Sequence, residues 1–320
     1  MALRRGGGRG IFAPSMHAPS SLSRRAGAAR AAEAGLLIMV AIWAVNFSFI
    51  KVALAEIPPF GFNALRFPLA ALLLAVVLWS AGRLRLPERP DRGRVVALGV
   101  IGNVLYQLLF IAGMDRSRAG NASLLLTGSP VYTALLSAAL GHERVRAAAW
   151  AGIGATVLGI AFVVGSGEGG FRFGTATLAG DLMLVAASAV WAFYTVGARD
   201  LIRKYGSVAV TAWTLWVGAA LLLLVGIPDL LALERAPSAL AWAGVVYAGV
   251  AGIGIAYLLW YRAVRILGNT HTSSFANLTP VLAIAVAWAW LGEVPNLWQL
   301  LGAAVIIAGI SVVRRATEAA

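Results

Sequence analysis

Two short runs in this chain repeat one chemical pattern. Ser123, Thr127 and Pro130 stand at positions i, i+4 and i+7, and Ser273, Asn277 and Pro280 repeat that spacing. On a helix each triplet lines a single stripe. Further polar and aromatic groups share faces in the same way: Trp43 with Asn46, Asn103 with Tyr106 and Gln107, Ser188 with Trp191 and Thr195, and Tyr257 with Trp260 and Tyr261. Hydroxyls, amides and large rings without a carboxylate among them suit reversible binding of a neutral or zwitterionic molecule with an apolar part. They do not suit acid–base or nucleophilic chemistry. The chain has no cysteine, no zinc-spaced histidine pair, no Ser, His and Asp constellation and no paired midspan aspartates, so no catalytic residue, metal or cofactor is expected. Each group also has a plainer reading, since amides bond helix to helix and prolines kink helices for packing alone. Trp79, Trp150, Tyr205, Trp242 and Trp298 read as interfacial anchors.

The elements that must position these residues are membrane spans. The 320 residues are 60% hydrophobic and 12% charged, against about 25% charged in soluble domains. Apolar runs long enough to cross a bilayer fall near 34–54, 60–81, 95–113, 119–140, 147–166, 178–198, 208–227, 240–260, 270–291 and 297–313. Unbroken runs of this kind exclude the alternating pattern of a membrane barrel. An all-α membrane protein of ten transmembrane helices is therefore expected. Residues 1–32, rich in Arg, Gly, Ala, Ser and Pro, read as a disordered basic cytoplasmic tail, although an acid-poor leader of this kind also resembles a transit peptide.

Of the 26 basic residues, 20 fall in segments that lie on one side if the tail is cytoplasmic, and only Arg116, Arg118, Arg172 and Arg235 fall in loops on the other. That bias predicts an integral protein of a bacterial inner membrane with both termini in the cytoplasm, the basic charge marking topology and contact with membrane lipids rather than nucleic acid. A monomer or weak homo-oligomer is expected. The 13 acidic residues all lie at span ends or in loops, so no ion-coupling carboxylate stands at midspan, Asp181 being the nearest to one. His271 reads as a helix-end residue.

An internal repeat organises the spans. At an offset of 150, Pro130 recurs as Pro280, Glu143 as Glu293, Gly152 as Gly302 and Gly159 as Gly309; at 148, Trp43 recurs as Trp191 and Lys51 as Arg199. Five spans per unit is odd, so the second unit enters the membrane from the opposite side. The result is two inverted-topology five-helix repeats, 33–166 and 167–315, with a short tail at 316–320. Inverted repeats with broken helices at matching positions characterise secondary transporters, whose site lies between the halves. The symmetry also predicts two gating ion pairs, Lys51 with Glu293 outside and Arg199 with Glu143 inside, against the alternative that these long side chains snorkel to the interface.

The pattern from Trp43 to Lys51, the stretch 124–143 with Pro130, Val131 and Glu143, and its copy 275–293 followed by Gly302 and Gly309 resemble the paired EamA domains of the drug/metabolite transporter superfamily. The resemblance covers roughly 35–315. It implies a ten-helix carrier that exports amino acids or other small metabolites by alternating access through a central cavity, and members of the YddG type, which export aromatic amino acids, are similar in size and topology. Ala44 departs from the glycine common after that tryptophan, and span seven has no counterpart to Arg66. An intramembrane lipid-modifying enzyme would instead cluster ionisable groups at one face, and a non-transporting scaffold has no use for two midspan prolines beside polar stripes.

Overall fold

A computed structural model describes residues 21–139, 147–167, 170–171 and 177–318, and the structural statements below concern these. The chain forms helices α1 (Ser21–Leu54), α2 (Pro59–Ser80), α3 (Arg92–Gly99), α4 (Tyr106–Arg116), α5 (Ala119–Thr127), α6 (Ser129–Ala139) and α7 (Ala147–Val164). A two-residue antiparallel pair, β1 (Ser166–Gly167) with β2 (Gly170–Phe171), follows. Then come α8 (Leu178–Tyr205), α9 (Ser207–Leu231), α10 (Ala239–Val246), α11 (Ala256–Leu267), α12 (Asn269–Ala276), α13 (Leu278–Leu291) and α14 (Leu297–Glu318). Two widened π-helical segments, Val100–Leu105 and Tyr247–Ile255, join α3 to α4 and α10 to α11 without breaking either helix. Among the described residues seven helical runs are long and apolar enough to cross a membrane.

The three remaining predicted spans differ for local reasons. The fourth is interrupted at Gly128 between α5 and α6, and the ninth passes from α12 to α13 at Asn277. Pro130 and Pro280 therefore lie in the first turn of a new helix, where a missing N–H costs nothing, instead of at a helix centre. The tenth has an apolar stretch, Leu297–Val313, one residue short of the shortest of the seven. At the other end of the chain α1 starts at Ser21, so residues 21–32 of the expected disordered tail are helical. Their Ala and Arg content favours helix, and the last proline before them is Pro19. Residues 1–20 lie outside the described residues.

Packing depends on glycine where backbones meet. A Cβ on Gly152 would stand 2.7 Å from the Gly309 carbonyl oxygen, and one on Gly309 would stand 2.7 Å from that of Gly152. Gly159 and Gly302 face each other likewise, at 2.9 and 2.8 Å. Thus α7 and α14 cross twice at backbone contact, the small-residue packing of membrane helices. The inner helices match in the same manner. Gly99 lies against the Thr214 carbonyl and Val217, and Gly249 against the Arg66 carbonyl and Leu69; these two sets are related by the sequence offsets of 150 and 148.

Helix starts are closed by carboxylates from elsewhere in the chain. Asp229 Oδ2 accepts from the Phe60 and Gly61 amides, both at 3.0 Å, at the start of α2. Before α10, Glu56 accepts from the Ser238 hydroxyl and amide at 2.6 Å each, while Ser238 Oγ accepts from the Ala241 amide. The Ser238 hydroxyl and then its amide hold the Glu56 carboxyl below its ordinary range, so this cap is in place at neutral pH and is lost as pH falls through the lowered value.

Gly302→Val is expected to lower the apparent melting temperature of the purified protein, by a destabilisation of about 1–3 kcal/mol, because the added atoms meet backbone that cannot move aside. Gly154→Ala on the partner helix α7 meets nothing within 4 Å and should leave the melting temperature unchanged or raise it slightly.

Candidate functional site

The π segments bring two aromatic groups into the interior. Next to the first, Tyr106 stacks on Phe110 with centroids 5.8 Å apart and meets Trp191 at 5.0 Å, and Trp191 meets Tyr194 at 5.0 Å. Next to the second, Trp43 lies 6.5 Å from Tyr257 and 5.9 Å from Trp260, and Tyr257 lies 6.2 Å from Tyr261. Trp43 Nε1 donates to the Gly252 carbonyl at 2.9 Å, and the Asn46 amide packs on Gly252, where a Cβ would stand 2.7 Å from its Oδ1. Asn46 Oδ1 is buried and has no hydrogen-bond partner, as is true of Ser48 Oγ and Thr279 Oγ1. Tyr106, Tyr257 and Tyr261 sit deep in the bundle yet keep part of their surface uncovered, as residues lining an internal space do. By contrast, a groove of about 580 Å³ on the flank, between Ala71, Leu72, Ala75 and Trp216 and the segment 84–86, contains none of the residues singled out from sequence.

Beside the first of the aromatic groups lies Arg66, 2% exposed. Its Nε donates to Asn63 Oδ1 at 2.9 Å and its Nη2 to Gln107 Oε1 at 2.7 Å, while Asn63 Nδ2 donates to the Gln107 carbonyl at 3.2 Å. The guanidinium carbon stands 5.0 Å from the Phe62 ring centre and 5.5 Å from those of Phe67 and Phe110. Neutral amides and ring faces surround it where a buried cation would otherwise call for an acidic partner, and they orient the cation without cancelling its charge.

At the α5–α6 break, hydroxyls take over from the backbone. Ser129 Oγ donates to the Leu126 carbonyl at 2.8 Å, and Ser188 Oγ lies 3.0 Å from Ser129 Oγ and 3.4 Å from that carbonyl. The Leu126 carbonyl, which Pro130 cannot serve because it has no N–H, is therefore satisfied from α6 and α8. Ser123 and Thr127 donate back to Gly120 and Ser123 on their own helix, and Thr195, which is exposed, to Trp191. Asn103 is buried with its Cβ against Gly218, and Tyr261 shares a short hydrogen bond with Thr211. Pro280 is buried, Asn277 is half-buried at the start of α13, and the Ser273 side chain lies outside the described residues.

The predicted outer pair takes another form. Lys51 Nζ donates to the Met114 and Asp115 carbonyls at 3.0 and 3.2 Å, at the end of α4. Glu293 accepts from the Ala119 and Gly120 amides at 3.0 and 3.2 Å, at the start of α5. The two charges grip opposite ends of one turn rather than each other, since helix ends carry partial charges that attract them. From below the turn, Asp181, fully buried, accepts from Ser117, from Thr177 at 3.0 Å and from Asn121 at 3.4 Å, and Gln299 donates to Asn121 at 2.9 Å. Arg199 is exposed; Glu143, its predicted partner, lies outside the described residues. His271 lies 3.2 Å from Glu33, as a helix-end residue would.

A model of the EamA-like transporter family matches this chain twice, over 31–165 and 178–315. The chain belongs to the EamA-like transporter family. Relatives include a protein of Bacillus subtilis (strain 168) named an uncharacterized transporter, YdfC, 30% identical over 85% of this chain and 87% of that one. Another, from Streptantibioticus cattleyicolor, is named a probable terminal-alkyne amino-acid exporter and is 31% identical over 88% of this chain and 93% of its own length. A solved crystal structure shares the fold, with a TM-score of 0.64, 23% identity and coverage of 91% of this chain and 98% of that one.

In this EamA-like transporter, sequence reasoning located Trp43, Asn46, Tyr106, Gln107, Trp191, Tyr257, Trp260 and Tyr261, which the structure gathers around Arg66 or the π segments. It missed Asn63, three residues before Arg66 on the same helix face, a spacing that could have found it. It also missed Ser129, Thr211 and Thr214, whose partners lie on distant helices.

Glu293→Gln is expected to weaken the grip on α5 by about 1 kcal/mol, the scale of a helix-end charge or cap. Faster hydrogen exchange at the Ala119 and Gly120 amides, with unchanged exchange in α7, would show it; equal exchange at both places in mutant and parent would count against the clamp.

Proposed function

We propose that this EamA-like transporter exports amino acids or similar small metabolites by alternating access, through ten spans arranged as two inverted five-helix units, 33–166 and 167–315. The observation that carries the reading is the pair of aromatic groups, deep in the bundle and partly uncovered, next to π segments in helices whose glycine contacts correspond between the two halves. Two matches to one family model, the paired close approaches of α7 with α14, and breaks at Gly128 and Asn277 support the inverted arrangement. Support for the substrate class comes from the relative named as an amino-acid exporter and from rings and amides suited to an apolar zwitterion. The basic-residue bias supports a bacterial cell membrane with both termini inside.

In the same reading the turn held by Lys51 and Glu293 is the outer closure, and Arg199 with Glu143 is its counterpart inside. With no midspan carboxylate in the sequence, exchange or facilitated diffusion is favoured over proton antiport.

Proteoliposomes loaded with a labelled amino-acid panel test this directly. Efflux of one or more aromatic or other neutral amino acids is expected, accelerated by the same unlabelled amino acid outside and unchanged by a pH gradient. Trp43→Ala should raise the half-saturating concentration by about tenfold, the scale of losing a buried aromatic contact. No efflux of any amino acid, or efflux indifferent to Trp43 and Tyr257 substitutions, would reject the substrate class.

A further inference from the structure

The structure contains a cation without a counter-charge at a position where one is costly to maintain. Arg66 lies in a membrane-spanning helix, almost wholly buried, and arginine does not deprotonate to escape the penalty. No described carboxylate forms an ion pair with it, and the 13 acidic residues of the chain all fall at span ends or in loops. Of its five N–H donors, one goes to Asn63 and one to Gln107. Asn63 is itself held by its Nδ2, which donates to the Gln107 main-chain carbonyl, so the two side chains fix the plane of the guanidinium as the supporting residues of a binding group do. The fold alone does not demand the charge, because the corresponding position in the other half is Thr214, neutral and bonded to Tyr194. The guanidinium carbon stands 5.5 Å from the centre of the Phe110 ring, which stacks on Tyr106 of the first aromatic group.

We infer that Arg66 is the seat for an anionic group of the transported molecule, a carboxylate, received on the guanidinium edge that Asn63 and Gln107 do not use while the apolar part lies among Tyr106, Trp191, Trp43 and Tyr257. This rests on the proposed transport site and specifies its substrate chemistry. Arrival of a carboxylate cancels the buried charge, so the occupied site is electrostatically more favourable inside the bilayer than the empty one. A free amine of the same shape would add a second positive charge and is excluded. Gln107 and Asn63 are positioning residues, acting through the guanidinium.

The test uses the full chain in lipid nanodiscs and follows tryptophan fluorescence during titration with 3-phenylpropionate, 3-phenylpropionamide, phenethylamine and L-phenylalanine. The parent protein should bind 3-phenylpropionate at least about tenfold more tightly than the amide, and phenethylamine not at all, as expected for a charge-assisted bidentate contact. Arg66→Gln should remove the difference between acid and amide; Arg66→Lys should keep part of it, which preserves the test if the glutamine variant does not fold. Replacing chloride with gluconate in the buffer should leave the preference unchanged. Equal binding of acid and amide by the parent, loss of the preference without chloride, binding of neither acid, or a preference retained in Arg66→Gln overturns the inference. The two readings fail separately. Arg66-dependent binding of 3-phenylpropionate without binding of L-phenylalanine keeps the anion seat and rejects amino acids, whereas L-phenylalanine bound regardless of Arg66 keeps amino acids and rejects the seat.

Discussion

Hydrocarbon offers no hydrogen bonds, so every amide and carbonyl of this chain at membrane depth must find a partner within the protein. That constraint explains features that are otherwise unrelated. Most of the backbone meets it by unbroken helix. The α5–α6 break departs from helix in the interior and meets it with the hydroxyls of Ser129 and Ser188, both supplied to the Leu126 carbonyl. The proline that follows is then harmless, because the turn already runs through Gly128 before Pro130 is reached. The widened turns at Val100–Leu105 and Tyr247–Ile255 meet the constraint differently, keeping the helix continuous while changing the direction in which Tyr106 and Tyr257 project.

The same constraint governs the charges. A helix start leaves amides unpaired, and carboxylates from other segments close three of them: Asp229 at α2, Glu56 beside Ser238 before α10, and Glu293 at α5. Acidic residues at span ends are therefore construction elements on one end of the bundle. On the other end, the charges pair with one another: Lys204 with Glu88 and Asp91 at 2.7 and 2.9 Å, and Arg94 with Asp200 at 3.1 Å. Both arrangements sit at the bundle ends, where water screens them and their individual energies are small. Arg66 belongs to neither group, and its isolation at depth makes it the cation whose presence needs a ligand to explain it.

Much of this was legible in the sequence. The apolar runs gave seven membrane-length helices among the described residues because their length is set by the bilayer, and the offset of 150 singled out Gly152, Gly159, Gly302 and Gly309, which the structure brings into contact as Gly152 with Gly309 and Gly159 with Gly302. The aromatic and amide faces were found because a helix places i, i+3 and i+4 together. What could not be read was anything depending on where two distant segments meet. Lys51 and Glu293 were recognised as opposite charges on one side, but that they would bind two ends of the Met114–Gly120 turn depends on α4 and α5 ending there. Composition cannot place a helix break within a turn's length, so Pro130 and Pro280 were assigned to helix centres, and the polar signal that should have moved them, Ser129 beside Gly128, was outweighed by the apolar run around it.

Where the halves touch determines how they can move. At the α7–α14 crossing glycine faces a glycine carbonyl at each of two places, with the Thr156, Val163, Ile306 and Val313 side chains packed close around them. Such a contact tolerates little sliding, because separation of even a fraction of an ångström forfeits dispersion on both sides. The opposite holds along α5–α6 and α12–α13, where the helices are short and interrupted, and where α5 and α6 reach neighbours through hydroxyl and amide bonds of Asn121 and Ser129 that contribute little net energy each. The alternating access proposed above would accordingly pivot on the glycine contacts and pass through the interrupted helices. The turn is gripped by Lys51 of α1, Asp181 of α8 and Glu293 just after α13, so a shift of these segments relative to α4 and α5 loosens it.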